Sequence, residues 1–330
     1  NSILELVEGE EIWHPCLWIQ TSNPNAQYDK KISKDSAGIY FSSDQVVRIL
    51  HYKMKLFWEM KDSLEMVALG NSRMYAALAG NLITMKALNM ATIPCDMNCQ
   101  KYLFENYLLN HCDRLKYLVV SLDLDCWFSA DLLTDINYSM GSAKGFTYDK
   151  NHDFWKEGLY DGFLDLVKDA VVEDEVVMNM IRTLRGGELL YDSRGWVSPD
   201  GTAEIDNHMW VDGEDGLAVN FRSLREVLEL AKNRGIMVVG VITPMSPYYA
   251  NTAFYSRHGL NRAVAEQYLG YIRDMESSLS NFVVFDENKN GQHDYADSFS
   301  LDFDHLNTEG TVVFSNRLND FLNKLNNGSL

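Results

Sequence analysis

The chain has 330 residues, 46% of them hydrophobic and 12% aromatic, enough for a packed core and unlike a disordered or fibrous protein. Its 29 Lys and Arg against 47 Asp and Glu leave a formal net charge of −18, which repels phosphate backbones and anionic lipid headgroups and argues against nucleic acid or a membrane surface as partner. No apolar run approaches the roughly 20 residues that span a bilayer; the best, 236–244, is strand-sized. Cys16, Cys95, Cys99, Cys112 and Cys126 are odd in number and lack zinc-site spacing, so they read as buried free thiols. The chain opens on Asn1 and runs at once into Leu4-Glu5-Leu6-Val7, as a processed piece of a longer protein with further domains would.

In chain order, the first forty-odd residues form a strand-rich lead-in with a polar break at Asn23-Pro24-Asn25. Helical spacing follows at Val46, Val47, Leu50, Met54 and Phe57. Strand and helix then alternate: strand 65–69 stopped by Gly70, helix 74–88, a helical stretch 100–111, and buried strand 116–122. Helix 224–234 ends at Gly235 and leads to strand 236–243; helix 263–279, strand 282–285 and the amphipathic helix 312–325 close the chain. This alternation predicts an α/β fold, a mostly parallel sheet with helices on both faces, with functional residues outside the carboxyl ends of the strands. Residues 127–220, rich in Gly, Asp, Tyr and Trp, interrupt it and read as a long insertion, with a separate small domain as the alternative. The expected division is a lead-in over 1–45 and an α/β domain over 46–330 that carries the insertion.

Two motifs carry chemistry. In Leu69-Gly70-Asn71-Ser72-Arg73 a serine follows a buried strand in a glycine turn at the start of a helix, which exposes its hydroxyl at the sheet's carboxyl edge. A plain helix N-cap is the structural alternative. Near the other end, Asp302-Phe303-Asp304-His305-Leu306-Asn307 places an acid three residues before a histidine. Asp302 can hold one imidazole nitrogen while the other takes a proton from a serine hydroxyl; Asp304 is its competitor, and His293 a rival base.

Together, the early Gly70-Asn71-Ser72 and the late Asp302-x-x-His305, with Asn307 and Gly310 after it, resemble the SGNH (GDSL-like) hydrolase superfamily over about residue 64 to the C-terminus, the insertion excepted. The resemblance implies a three-layer α/β/α fold, catalysis by Ser72, His305 and Asp302, and hydrolysis or transfer of acyl esters, often acetyl groups on carbohydrate, outside the cell or in its envelope. The family's middle blocks supply a Gly and an Asn to the oxyanion hole. Here 89–95 holds no glycine, leaving the Cys95 N–H as substitute donor, and 119–125 offers Asp123 and Asp125, whose carboxylates would repel an oxyanion. Asn71 and Arg73 complete the candidate oxyanion and substrate-binding positions.

Asp286, Asn288, Asn290, Asp294 and Asp297, with Gly291 between, have the spacing of a calcium loop, although a strand precedes it; an Asx-rich turn is the alternative. Calcium is thus a possible structural ion, and no cofactor is required. Trp127, Phe128, Tyr148, Phe154, Trp155, Trp196 and Trp210 are candidate stacking faces for a sugar ring, or core. The expected function is a serine esterase acting on an acylated, neutral carbohydrate. The alternatives are an O-acyltransferase using the same residues and a non-catalytic glycan-binding scaffold.

Overall fold

The computed structural model describes residues 59–92, 95–127, 193–197 and 214–329, residues 53, 56 and 57, and the backbone of 17–21, 37–41 and 146–147. Two compact units divide the chain: 1–60 with 133–188, and 61–132 with 189–330. In the first, β1 (Leu17–Thr21) pairs antiparallel with both β2 (Ala37–Phe41) and β6 (Phe146–Thr147). The segments read as lead-in and as insertion therefore share one small sheet.

The second unit is built on five parallel strands, β3 (Met66–Leu69), β4 (Ala87–Asn89), β5 (Tyr117–Ser121), β7 (Met237–Ile242) and β8 (Phe282–Asp286), in the order β4-β3-β5-β7-β8. The central strands read Met-Val-Ala-Leu and Tyr-Leu-Val-Val-Ser without alternation because both faces are covered: every residue of β3 and β5 is buried. The main helices among the described residues are α1 (Ser72–Ala77), α2 (Met97–Leu103), α3 (Glu214–Asn233), α4 (Arg262–Ser278) and α5 (Thr308–Asn326), with a π-helical turn Phe104–Leu108 and the helical turn Leu109–His111 continuing α2. Right-handed crossovers place α1 on one face and α2, α3 and α4 on the other. α3 packs on α2, and α5 returns to pack on α1. The result is a three-layer α/β/α fold.

Chain direction across the sheet reverses at β3, since β4 lies on one side of it and β5 on the other. That switch point is where open α/β sheets bind ligands, beyond the strands' carboxyl ends. Residues 70–73 leave β3 at this spot. Two differences from the expected elements are local. The helix expected over 74–88 is only α1, followed by the short strand β4, whose three residues lie hidden in a continuous apolar run. The helix expected over 224–234 begins ten residues earlier.

Candidate active site

Gly70 ends β3 where nothing larger fits: a Cβ there would lie 2.7 Å from the Ser121 Cβ and 2.8 Å from that of Met74. The close approach lets the chain turn straight from strand to helix. Asn71 caps α1, its Oδ1 accepting from the Arg73 N–H at 3.0 Å, so Ser72 is released from the N-cap task and becomes the first helical residue. It is half-buried, and among the described residues its hydroxyl makes no hydrogen bond.

The histidine loop is equally determined. The Asp302 Oδ1 accepts the backbone N–H groups of Asp304 at 2.7 Å and His305 at 2.8 Å, folding the acid back over its own loop. Both carboxylate oxygens then face His305 Nδ1, at 3.1 and 3.0 Å. Burial works to raise the Asp302 carboxyl, but the His305 ring and these backbone donors outweigh it and hold it below the usual range. His305 Nε2 is buried and has no hydrogen-bond partner. Gly310 lets α5 abut the loop, since a Cβ there would lie 2.5 Å from the Phe299 carbonyl oxygen.

A buried ion cluster joins the two loops. Arg73, next to Ser72, donates from Nε to Asp304, next to His305, at 2.5 Å, and from both terminal nitrogens to Asp125, each at 2.5 Å. The Asp123 Oδ1 lies 3.6 Å from the same guanidinium, and Arg257 reaches the other Asp304 oxygen at 3.2 Å. Burial opposes the charges of Arg73, Asp125 and Asp304, yet their mutual attraction prevails: the guanidinium is held protonated and both carboxyls fall below their usual values. Burial wins only at Asp123, which is pushed up despite Arg73 and the hydroxyls of Ser121 and Thr243 that donate to it. Further along, the Thr311 hydroxyl and the Trp196 indole N–H both donate to the Ala76 carbonyl, tying α5 to α1.

Several expected roles are corrected by this arrangement. Asp123 and Asp125 do not stand free to repel an oxyanion; both are fully buried, and Asp125 spends its two oxygens on Arg73. Arg73 is a buried tie rather than a substrate ligand, and Asn71 is a helix cap. Cys95 and Cys99 are joined in a disulfide and are not free thiols, whereas Cys112 and Cys126 are free. No hydrogen bond joins Ser72 to His305 among the described residues, so the expected direct contact is not formed; such bonds often tighten only when substrate arrives. Trp127 and Trp196 are core side chains, 1% and 5% exposed, and cannot stack on a sugar. Phe128, Tyr148, Phe154, Trp155 and Trp210 lie outside the described residues, as does Cys16.

The oxygens of the 286–297 loop turn to different protein donors. Asp286 accepts the N–H groups of Asn288 and Lys289, Asn288 Oδ1 that of Met245, and Asn290 Oδ1 the Arg262 guanidinium. Asp294 forms a two-pronged pair with Arg317, at 2.8 and 2.9 Å. These bonds make the segment a hydrogen-bonded turn, the alternative to the calcium loop. His293 is likewise engaged, by the Met245 carbonyl. Asp125, Cys126 and His258 are the one described acid, thiol and imidazole group whose atoms lie within 4.8 Å of one another, but the Arg73 charge on Asp125 opposes a cation there.

Thr92 is marked by no motif in the sequence. It follows β4, its N–H donates to the Gly70 carbonyl at 2.9 Å, and its buried hydroxyl has no partner. Its one signal in the sequence is to be the lone hydroxyl residue of the glycine-free stretch 89–95.

No protein-family model matches the chain, and no curated protein matches it. Among solved structures it is similar to the crystal structure of a "putative acylhydrolase" from Bacteroides fragilis, with a TM-score of 0.41 and 12% identity, over 79% of this chain and 86% of that one. At that identity and score the likeness assigns neither activity nor residues. No helix of the described residues is long and apolar enough to cross a membrane.

Proposed function

We propose that the chain is a serine-dependent carboxylic-ester hydrolase that deacylates, and in particular deacetylates, a carbohydrate. One observation carries this reading: the Asp302–His305 pair leaves a buried, partnerless Nε2 on a loop that Arg73 and Asp304 tie to the Ser72 turn. A histidine held at Nδ1 by a carboxylate and open at Nε2 is arranged to accept a proton. Ser72 Oγ would attack the ester carbonyl while Nε2 takes its proton. Asp302 keeps the Nδ1–H tautomer and stabilises the imidazolium. The imidazolium then protonates the departing alcohol, and water, activated by the same nitrogen, releases the acyl group from Ser72.

The developing oxyanion needs donors. The Ser72 N–H, the first of α1, has no acceptor among the described residues, and the Thr92 hydroxyl is buried beside the Gly70 turn without a partner. These two, with the Cys95 N–H, replace the Gly and Asn of the family pattern in this reading. The Cys95–Cys99 disulfide suits an oxidising compartment, hence a secreted or envelope location.

The test is release of acetate from acetylated neutral oligosaccharide and from a small acetate ester. The folded Ser72→Ala chain is expected to lose at least about 10³-fold in kcat. Hydrolysis by Ser72→Ala at the parent rate would refute the serine mechanism.

A further inference from the structure

Among the described residues, the large hydrophobic side chains exposed at the surface are Tyr248, Tyr271, Leu301, Phe303 and Val312, and three of these five flank the histidine loop. The loop closes on itself through the Leu301 N–H to the His305 carbonyl, 2.9 Å, and through the Ser300–Leu306 bridge. Asp302, Asp304 and His305 turn inward, so Leu301 and Phe303 turn out, each 38% exposed. The Ser246 N–H donates to the Phe303 carbonyl at 3.3 Å, which brings the turn Pro247–Asn251 alongside. There Tyr248, 55% exposed, meets the Phe303 ring edge to face at 5.8 Å between centroids. Both rings rest on the buried Tyr249 ring, at 5.4 and 6.4 Å.

On so acidic a chain, a pair of rings left in water on and against the loop that carries His305 calls for a ligand. We infer that Tyr248 and Phe303 form a stacking platform for a neutral pyranose ring on the alcohol side of the scissile ester. This placement rests on the esterase reading. The packing of the rings against Tyr249 fixes their orientation while leaving both partly exposed. An alkyl chain lying there would remain wet along its outer side. A sugar buries only its C–H face and keeps its hydroxyls in water, which is the match an amphipathic aromatic surface provides. The net charge of −18 disfavours an acidic sugar.

The experiment titrates xylohexaose calorimetrically into the full chain and its Tyr248→Ala, Phe303→Ala and Tyr271→Ala variants, after matching their circular dichroism. The first two should weaken Kd by about tenfold, and Tyr248→Trp should restore it. Tyr271→Ala, exposed on another helix, should leave it unchanged. In parallel, kcat/KM for acetylated xylohexaose relative to ethyl acetate should fall by the same factor in the first two variants. Absence of xylohexaose binding by the parent chain, or equal effects at Tyr248 and Tyr271, would overturn the platform. So would a selective loss of ethyl octanoate over ethyl acetate, which would make the surface an acyl-chain site. If platform variants lose oligosaccharide binding while Ser72→Ala still hydrolyses ester, the platform stands and the serine mechanism falls.

Discussion

Asp302 shows how much work a short loop can extract from one carboxylate. It accepts two backbone N–H groups and faces His305 Nδ1, so the ring is oriented by the same group that shapes the loop. Asp302→Asn would keep the shape and present the wrong partner to the imidazole; kcat should fall by about 10³–10⁴-fold with little change in KM. Thr92→Val removes only a hydroxyl, and on the oxyanion reading it should lower kcat by about 10²-fold while leaving the melting temperature within a degree or two. A change in KM alone would remove Thr92 from that role. Asp96 gives a prediction on stability. Burial raises its carboxyl to about 6, above the ordinary 3.8, although the Cys99 N–H favours the charged form. An acid whose folded pKa is raised is most favourable while protonated, so its contribution is lost as pH climbs from about 4 to about 6 and is constant above. Asp96→Asn keeps the cap acceptor and should gain on the parent across that window, with no gain at pH 3.5. A parallel pair of Tm curves would contradict the burial argument.

The two loops of the site depend on connections between elements. Arg73 of α1 and Asp304 before α5 are 231 residues apart, and Asp125 reaches them from the end of β5. Breaking such a buried pair by removing the cation leaves carboxylates without compensation, at a cost of about 3–5 kcal/mol. Arg73→Met should therefore lower stability sharply. Arg73→Lys, which cannot serve two carboxylates in a fork, should fold but lose kcat more than KM. Equal kinetics in Arg73→Lys and the parent would separate the tie from the chemistry. For 286–297 the prediction is an absence of effect: a chelator should leave Tm unchanged, whereas Arg317→Met, which takes the guanidinium away from Asp294 and Glu287, should lower it. A chelator-induced drop that calcium reverses would restore the metal reading. These element-level facts mark the limit of the sequence. The Asp302–His305 pairing was legible because the two residues sit in one local pattern, three positions apart; Ser72 is proposed from a local pattern of the same kind. From sequence, Arg73, Asp123 and Asp125 take oxyanion or substrate roles and Asp304 a rival acid's role, because a charge in a motif is read against its neighbours in sequence until its distant partners are known. The calcium spacing has the complementary limit: spacing shows which oxygens are available, not which donors from other elements engage them.

Across the molecule, the strand–helix alternation was legible because central parallel strands are uniformly apolar and their helices are amphipathic, periods that differ unmistakably. β4 was not, since three residues in an apolar run carry no period. The pairing of β1 with both β2 and β6 was also hidden, as strand partners from 17–21 and 146–147 share no local signal. The charge distribution makes a global prediction as well. Asp125, Asp302 and Asp304 are all held below the usual carboxyl range in the fold. Carboxyls of that kind contribute stability above their unfolded values near 4 and lose it as pH falls through the lower folded values. Tm should therefore drop steeply below about pH 4, and less steeply in Asp302→Asn.

Every step proposed for this site depends on Ser72 being a nucleophile activated by His305. Treating the intact chain with a fluorophosphonate probe and reading the mass of the product tests it most directly. One adduct is expected, located on Ser72 by peptide mapping, absent from Ser72→Ala and slowed at least about 10²-fold in His305→Ala. A folded parent chain that takes no adduct, or a Ser72→Ala chain that labels as fast as the parent, would contradict it.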